Sequence, residues 1–286
     1  MGKITIYEDK LIYQRRDELT ILEPYGPNCI RCRSTKNSKI LDENWTLLPP
    51  KEGAEYSITG DESVAEITNG MVKVKLEAGN IWYGGIINFY RKDEHILHTK
   101  YEGHYTGRNV HREGDHYQVK VIFDAHEGEH FYGLGQEQED QFDRKGSTVN
   151  LEHYNTKSAV PVYYSSMGYG FLWNSPAPGR CETTNNHTMW VSDSAYQADF
   201  LVYAAETPKE VLGIYADLTG HAPKFPHWAA GFWQSRMRYE TQDELMKVAR
   251  EYKKRGLPLA AIVIDFFHWP EQGEWMFDER FWPDPK

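Results

Sequence analysis

Residues 228–269 constrain the fold more than any other part of the chain, because they predict a strand, a helix and a second strand. Residues 229–233 form a short apolar segment. Residues 259–264 form a continuous apolar run, which is typical of a strand buried on both faces of a parallel sheet. Between them, Thr241 and Glu244 predict a helix start with a capping box, and Gly256 predicts the helix end. The second strand runs into Asp265, at the end of the strand where parallel α/β folds carry their chemistry.

Aromatic side chains are dense around this stretch and lie close to acids in the sequence. Flat rings beside carboxylates suit sugars, whose C–H bonds stack on aromatic faces while their hydroxyl groups bond to acids. The same rings also fit a packed core, and Asp265 alone also fits a turn or a helix cap. The aromatic set comprises Trp233, Tyr239, Phe266, Phe267, His268, Trp269, Trp275, Phe277 and Trp282.

The charge and hydropathy patterns exclude some partners. The formal net charge is −10 and the charges of both signs are interspersed, whereas a nucleic-acid backbone requires a basic stripe. No apolar run reaches the length of a membrane span, and the first ten residues do not resemble a signal peptide. The sequence therefore predicts a cytoplasmic protein that binds neither nucleic acid nor membrane.

Three cysteines, Cys29, Cys32 and Cys181, are too few for a disulfide framework and fit a reducing compartment. Cys29 and Cys32 form a Cys-x-x-Cys pair, which is a redox or metal motif in other settings. Here the pair falls in a predicted strand, where side chains three residues apart point to opposite faces. No second pair is present to complete a zinc site, so we interpret the pair as structural.

The chain before the 228–269 stretch is predicted to be mainly β. Residues 72–76 and 117–121 alternate between apolar and polar side chains, as half-buried strands do, and many such short runs separated by turns are typical of a β-sandwich. Thr207 and Pro208 predict a short helix, and a connector rich in glycine and proline follows it. We therefore expect an N-terminal β-sandwich at residues 1–222 and a second domain at residues 223–286.

Six short motifs in this order resemble glycoside hydrolase family 31, the retaining α-glucosidase and α-xylosidase family. They are YGLG at 132–135, PVYYSSMGYG at 161–170, TG at 219–220, WAAGFWQSR at 228–236, ID at 264–265 and FWPDP at 281–285. The resemblance implies a galactose-mutarotase-like N-terminal β-sandwich followed by the first βαβ unit of a (β/α)8 barrel, and it implies no metal or organic cofactor. The substrate would be an oligosaccharide or a small α-glycoside, and formation of a homo-oligomer is left open.

The resemblance also assigns site residues. In the family, the aspartate that ends the second barrel strand binds hydroxyl groups of the cleaved sugar, and Asp265 occupies that position. The segment from Trp233 to Arg236 and the segment from Phe266 to Trp269 would line the same pocket. A sandwich loop reaches the active site in the family, and Asn155 is the best candidate for that contact. The predicted substrate-binding set is Asp265, Trp233, Arg236, Phe267, His268, Trp269 and Asn155.

The segment around FWQSR looks most like the α-xylosidase branch. An α-xylosidase pocket fills the space of the missing hydroxymethyl group with a bulky side chain, which Trp233 or Phe267 would provide.

Retaining hydrolysis also requires two carboxyl groups about 5–5.5 Å apart. In the family both belong to later barrel strands, so we expect the nucleophile and the acid/base beyond Lys286. We therefore expect this chain to be a catalytically inert fragment with an incomplete barrel. Asp278, Glu279 and Asp284 are interpreted as loop and surface acids.

Two other interpretations fit parts of the sequence. A non-catalytic carbohydrate-binding β-sandwich would explain the strands and the aromatic residues, although it would not explain the strand–helix–strand unit. A doubly wound α/β domain would explain that unit, although no glycine-rich phosphate loop follows either of its strands.

The fragment hypothesis makes a prediction about protease resistance. Two barrel strands have open edges and uncovered faces, so the C-terminal part should be poorly stable by itself. Limited proteolysis should trim the chain back towards residue 225, as read by mass spectrometry of the surviving fragments. A chain that resists digestion over its full length would contradict the hypothesis.

Overall fold

The computed structural model describes residues 2–15, 18–79, 84–102, 105–106, 110–113 and 116–285. The chain forms two compact units, Met1–His221 and Ala222–Lys286. Within the described ranges, no helix combines the length and the apolar character that crossing a membrane would require.

The first unit is built almost entirely from strands. The first ten in chain order are β1 (Lys3–Ile6), β2 (Leu11–Arg15), β3 (Glu18–Pro24), β4 (Cys29–Thr35), β5 (Tyr56–Gly60), β6 (Val64–Asn69), β7 (Val72–Glu77), β8 (Ile86–Arg91), β9 (Glu94–His98) and β10 (Tyr101–Glu102). The next ten are β11 (Tyr105–Thr106), β12 (Val110–Glu113), β13 (His116–Asp124), β14 (Phe131–Gln136), β15 (Thr148–Leu151), β16 (Ser158–Ser165), β17 (Tyr169–Trp173), β18 (Gly179–Thr183), β19 (His187–Ala195) and β20 (Ala198–Ala204).

Antiparallel pairing joins eighteen of these strands into three large sheets, and β10 and β11 form a separate two-stranded sheet. The first sheet has eight strands in the order β1-β2-β3-β4-β20-β17-β16-β14. The second has the order β12-β13-β19-β18-β15, and the third has the order β5-β6-β7-β8-β9. Residues of all three sheets belong to one buried hydrophobic cluster, so the sheets cover each other's apolar faces and the predicted β-sandwich is confirmed.

Stacked aromatic rings form the centre of that core. Phe171 of β17 stacks on Trp190 of β19, with ring centroids 5.0 Å apart, and also stacks on Phe200 of β20 at 5.1 Å. Phe123 of β13 and Phe89 of β8 meet the Phe200 ring edge-on. These contacts join the eight-stranded sheet to both five-stranded sheets, and stacked and edge-on geometries of this kind are the ones that aromatic pairs prefer.

The Cys-x-x-Cys pair lies in β4, as predicted. Cys29 and Cys32 belong to two different buried clusters, which confirms that their side chains point to opposite faces of the strand. Burial raises the pKa of the Cys29 thiol, and it raises the pKa of the Cys181 thiol in the same way. All three cysteines are free thiols, so the pair forms part of the core and not a redox centre.

The YGLG motif forms a bulge in β14. The pairing of β14 with β16 shifts register between Gly133 and Gly135, and Gly133, Leu134 and Gly135 all have positive φ, at 126°, 64° and 91°. A Cβ at Gly133 would lie 2.6 Å from the Val162 carbonyl oxygen, and a Cβ at Gly135 would clash with the carbonyl oxygen of Ser158. The glycines are therefore required by the backbone of the bulge.

A helix closes the first unit. Helix α1 (Pro208–Thr219) begins with a complete capping box, in which the Thr207 hydroxyl accepts from the Glu210 amide and the Glu210 carboxylate accepts from the Thr207 amide. The helix buries Val211 and Leu218 against the strands of the first unit.

The second unit contains the predicted strand–helix–strand order with shifted bounds. Its elements are a single 3-10 turn at His227–Ala230, strand β21 (Trp233–Ser235), helix α2 (Gln242–Lys254) and strand β22 (Ala261–Val263). The prediction of a strand at residues 229–233 was wrong, because most of that apolar segment lies in the 3-10 turn and its end. The apolar run at 259–264 does contain the second strand, and Gly256 adopts φ +65° just beyond the helix, as predicted.

The predicted capping box of α2 is present only in part. The Thr241 hydroxyl accepts a hydrogen bond from the Glu244 amide at 3.2 Å. The Glu244 carboxylate does not return to Thr241, because it accepts instead from the Glu240 amide and from the Arg236 guanidinium, each at 2.9 Å. Hydrogen bonds from the segment just before the helix therefore take the place of the hydrogen bond from the cap residue.

A group of histidines in the first unit predicts a loss of stability in acid. The ring of His95 lies 5.6 Å from that of His126 and 5.9 Å from that of His98. Burial lowers the pKa of His95, and repulsion from the other two imidazoles lowers it further, against the opposing attraction of Asp124. Since the unfolded imidazole takes up its proton near pH 6.5, the free energy of unfolding should fall as the pH drops below about 6.5.

The measurement is urea unfolding followed at several pH values. His95→Gln should flatten the pH dependence, whereas His153→Gln, at a histidine outside the group, should leave it unchanged. A pKa for His95 above that of a free imidazole, determined by NMR titration of the folded chain, would contradict the argument.

Candidate active site

The two strands of the second unit are parallel, so their carboxyl ends lie side by side. Trp233 pairs with Ala261 and Ser235 pairs with Val263. The Tyr252 hydroxyl of α2 donates to the Gln234 side chain at 2.6 Å, which shows that Gln234 faces the helix. Trp233 and Ser235 therefore point to the other face of the strand pair, because side chains alternate along a strand.

Asp265 lies two residues beyond the end of β22 and is exposed. It adopts φ +64°, in the left-handed region that few residues other than glycine enter. Its main-chain oxygen is 3.3 Å from His268 Nδ1, and within the described part of the chain its carboxylate has no hydrogen-bond partner. The carboxylate is therefore free to accept hydrogen bonds from a ligand.

Phe267 lies on the same loop and has the same backbone conformation, with φ +60°. A left-handed conformation at a phenylalanine is a genuine outlier, and such strain costs about 1–3 kcal/mol and concentrates at functional sites. The ring is 54% exposed. It meets Phe266 edge-on with centroids 4.5 Å apart, and the Arg238 guanidinium lies 4.9 Å from its centroid.

His268 and Trp269 continue this aromatic surface. Their rings meet edge-on at 4.5 Å, and the His268 ring also lies 5.6 Å from that of Phe277. The main-chain oxygen of His268 accepts from the Asp278 amide at 2.8 Å, which ties the loop after β22 to the segment that follows it. The structure thus brings Asp265, Phe267, His268 and Trp269 together on one loop.

Arg236 follows β21 directly, on the neighbouring strand end. Its guanidinium donates to Glu244 at 2.9 Å and lies 5.4 Å from the centre of the buried Tyr239 ring. Helix α2 therefore holds the side chain from its first turn. Arg236 remains 54% exposed, so the cation is positioned and still accessible.

Trp233 occupies a different level of the strand pair. It begins β21, and its ring stacks on Trp228 at 5.6 Å while its indole N–H donates to the Ala229 carbonyl oxygen at 3.2 Å. It remains 47% exposed. Trp233 is therefore at the amino end of its strand, whereas Arg236 and Asp265 follow the carboxyl ends.

The acids near the end of the chain differ in their surroundings. Asp278 was predicted to be a surface acid, and that prediction was wrong, since the residue is only 7% exposed. It forms a two-point contact with the Arg280 guanidinium, with a shortest distance of 2.6 Å, and the hydrogen bonds from Arg280 lower the pKa of the carboxyl. Glu279 and Asp284 are exposed, as predicted.

Asn155 belongs to the first unit. It is exposed in a tight turn between β15 and β16, closed by a bridge between Tyr154 and Lys157. Lys157 is buried and pairs with Glu137 at 2.9 Å, so the turn is anchored at its base. The neighbouring Thr156 has φ +74°. Asn155 and the six residues of the second unit therefore lie in separate units.

The second-unit arrangement suits a neutral, hydroxyl-rich ligand. It combines a free carboxylate that accepts hydrogen bonds, guanidinium groups that donate them and exposed ring faces that receive C–H groups. Over the ranges that the structure describes, no cluster of histidine, cysteine and acidic side chains has the arrangement of a metal site.

A β-sandwich of mutarotase type followed by a parallel, barrel-type unit defines a class of glycoside-processing proteins. The profile for the glycosyl hydrolase 31 N-terminal galactose mutarotase-like domain matches residues 18–182, and the profile for the glycosyl hydrolases family 31 TIM-barrel domain matches residues 222–286. The chain belongs to glycosyl hydrolase family 31, which confirms the resemblance and the predicted fold class.

Three similar proteins give the context. An uncharacterized family 31 glucosidase from Pseudescherichia vulneris is 34% identical, and the match covers 100% of this chain and 57% of that protein. Alpha-xylosidase A of Aspergillus niger is 29% identical over 93% of this chain and 39% of its own length. A crystal structure of a family 31 α-xylosidase from a soil metagenome, complexed with xylose, superposes with a TM-score of 0.89 at 37% identity and covers 99% of this chain. The chain spans 44% of that solved structure.

Two features of the site were not predicted from the sequence. Arg238 lies over the Phe267 face, and Trp228 supports Trp233. Both residues belong to the 228–269 segment singled out above, but the sequence does not show which side chains pair within it. The positive φ value at Phe267 leaves no local signal, because phenylalanine rarely enters that region, whereas aspartate, the residue type at position 265, does so more often than most.

The strain at Phe267 predicts an unusual response to glycine. Phe267→Ala removes the ring and keeps the strained backbone, whereas Phe267→Gly removes both. The glycine variant should therefore be more stable than the alanine variant, by about 1 kcal/mol. Phe266 is the matched control, since its backbone is not in the left-handed region and glycine there should be less stable than alanine.

Stability of the second unit can be measured by hydrogen exchange of the α2 amides in increasing urea. If glycine at position 267 were less stable than alanine, as at position 266, the strain argument would fail.

Proposed function

We propose that this chain forms part of a retaining α-glycoside hydrolase that acts on terminal α-xylosides or α-glucosides of oligosaccharides, with α-xylosides preferred. The observation that carries the proposal is the free Asp265 carboxylate at a parallel strand end, held on a strained loop among exposed rings. Family membership supports the reaction class. The α-xylosidases among the relatives, including one solved with xylose, support the preference for xylosides.

In this proposal Asp265 accepts hydrogen bonds from two hydroxyl groups of the terminal sugar. Hydrogen bonds to a charged carboxylate are shorter and stronger than those between neutral groups, each worth about 1.5–3 kcal/mol after the loss of water. Arg236, anchored by Glu244, would donate to a neighbouring sugar oxygen. His268 and Trp269 would form the wall on which the ring stacks.

The preference for xylose over glucose would depend on a bulky side chain in the space of the hydroxymethyl group. Phe267 and Trp233 are the two candidates. Geometry favours Phe267, because it lies two residues from Asp265 on the same loop, while Trp233 begins its strand and is stacked on Trp228.

Hydrolysis with retention needs a carboxyl pair about 5–5.5 Å apart, one acting as nucleophile and the other as acid/base. In the second unit Asp278 is paired with Arg280, and Glu244 is occupied by Arg236 and a backbone amide. We propose that neither of these two acids is catalytic, that Asp265 binds substrate, and that the catalytic pair is supplied by residues outside this segment.

The carboxylate can be tested with aryl glycosides. Release of 4-nitrophenol from aryl α-xyloside and aryl α-glucoside would be measured for this chain and for the longest reading frame that contains it. In the active protein, Asp265→Asn should lower kcat/KM by about 10- to 100-fold, the value of a hydrogen bond to a charged group. Asp284→Asn, at an exposed acid of the same unit, should leave activity unchanged.

Full activity of the Asp265→Asn enzyme would refute the assigned role. Turnover by the 286-residue chain itself would overturn the placement of the catalytic pair. The competing interpretation, a non-catalytic carbohydrate-binding sandwich, predicts that deleting everything after Gly220 leaves sugar binding undiminished and that no length of the protein releases 4-nitrophenol.

A further inference from the structure

The first unit contains a pocket that the proposed hydrolase site does not use. It lies beside the end of β17 and the start of β20 and has a volume of about 310 Å³. That volume is at the lower end of the range for small-molecule pockets, about 300–1,000 Å³. Leu41, Glu43, Trp45, Asn174, Ser175 and Asp199 are among the residues that line it.

Trp45 is 63% exposed at this pocket, on a segment that is firmly held. The preceding Asn44 side chain donates to the Leu47 carbonyl oxygen and accepts from the Leu47 amide, at 2.5 and 2.9 Å. The following Thr46 hydroxyl donates to the buried Asn174 side chain at 2.8 Å. Both neighbours of Trp45 are fixed while its ring is exposed, so the segment presents a preorganised flat apolar surface.

A directed chain of hydrogen bonds ends in the same pocket. The Trp173 indole N–H donates to the Ser192 hydroxyl at 2.9 Å, and that hydroxyl donates to the Ser175 hydroxyl at 2.7 Å. The Ser192 hydroxyl thus accepts from the indole and uses its own proton to donate to Ser175. Ser175 is left with its proton to donate, and it lines the pocket.

The charges of the pocket favour a neutral ligand over a strongly charged one. The Asp199 carboxylate is neutralised by a two-point contact with buried Arg31, at 2.9 and 2.6 Å, and it also accepts from Asn174. None of the described residues that line the pocket is a lysine or an arginine, so a phosphate or carboxylate ligand has no strong cation to bind. The exposed Glu43 carboxylate remains as an acceptor, and one acid is too few for a metal ion.

From these features we infer that the pocket is a second, non-catalytic saccharide site that binds one neutral pyranose ring. The ring's C–H face stacks on Trp45, one of its hydroxyl groups donates to Glu43, and one of its oxygens accepts from Ser175. A sugar provides this combination, whereas a purely apolar ligand leaves Ser175 and Glu43 without partners and an open-chain polyol has no face to stack.

The test uses the ¹⁵N-labelled 286-residue chain and two-dimensional NMR. Methyl α-D-xylopyranoside should shift the Trp45 indole signal, identified with Trp45→Phe, and the Ser175 amide signal in a saturable way in the millimolar range. Glycerol, which has hydroxyl groups and no ring, should shift neither signal in a saturable way.

Variants then test the contacts, with the Ser175 amide as the reporter. Trp45→Ala should weaken binding about tenfold, because the stacking surface is lost. Glu43→Gln should weaken it less, through loss of the charge alone. Trp275→Ala is the matched control, since that tryptophan is fully exposed in the other unit and should leave binding at the Ser175 signal unchanged.

Two outcomes would overturn the inference. One is that the Trp45 and Ser175 signals stay in place with the pyranoside or respond equally to glycerol. The other is that Trp45→Ala and Trp275→Ala have the same effect. Asp265→Asn separates this site from the proposed hydrolase site, because it should leave the Trp45 shift intact whatever it does to hydrolysis.

Discussion

The stacked aromatic rings between the sheets are the interaction on which most of this structure depends. Phe171 lies between Trp190 and Phe200, and these rings together with Phe89 join the eight-stranded sheet to both five-stranded sheets. Trp173, at the end of the same strand, stacks on Trp190 and Phe200 as well, and its indole N–H begins the hydrogen-bond chain towards Ser175. Trp173 thus belongs both to the aromatic core and to the hydrogen-bond chain that ends at Ser175.

The sequence predicted well wherever a local pattern agreed with the tertiary structure. Alternating side chains correctly indicated β7 and β13, and the glycine at 256 correctly indicated the end of α2. The sequence prediction failed where nearby groups compete for the same side chain. Glu244 has the spacing of a capping box but binds Arg236, eight residues before it, and Asp278 is buried beside Arg280, two residues after it. Neither partner can be chosen from spacing alone.

The candidate site likewise combines features that the sequence predicted with features that it did not. The loop that follows β22 was predicted to carry the site, and the structure gathers Asp265, Phe267, His268 and Trp269 there. The strained backbone that aims these side chains was not predictable, since it arises from how the loop is held and not from its residue types. The YGLG motif is predictable for the opposite reason. The backbone of the bulge requires its glycines, so the motif indicates the fold and gives no information about the substrate.

The order of strands in the large sheet also has a consequence for biosynthesis. Strand β4 pairs with β20, and the ion pair that joins them links residues 168 positions apart. A ribosome adds about 5–20 residues per second, so strands β1–β4 are synthesised roughly 10 to 30 seconds before β20, the strand that pairs with β4. During that interval the edge of β4 is open to pairing with other chains, and chaperone supply and translation speed should therefore govern the yield of folded protein more strongly than the final stability does.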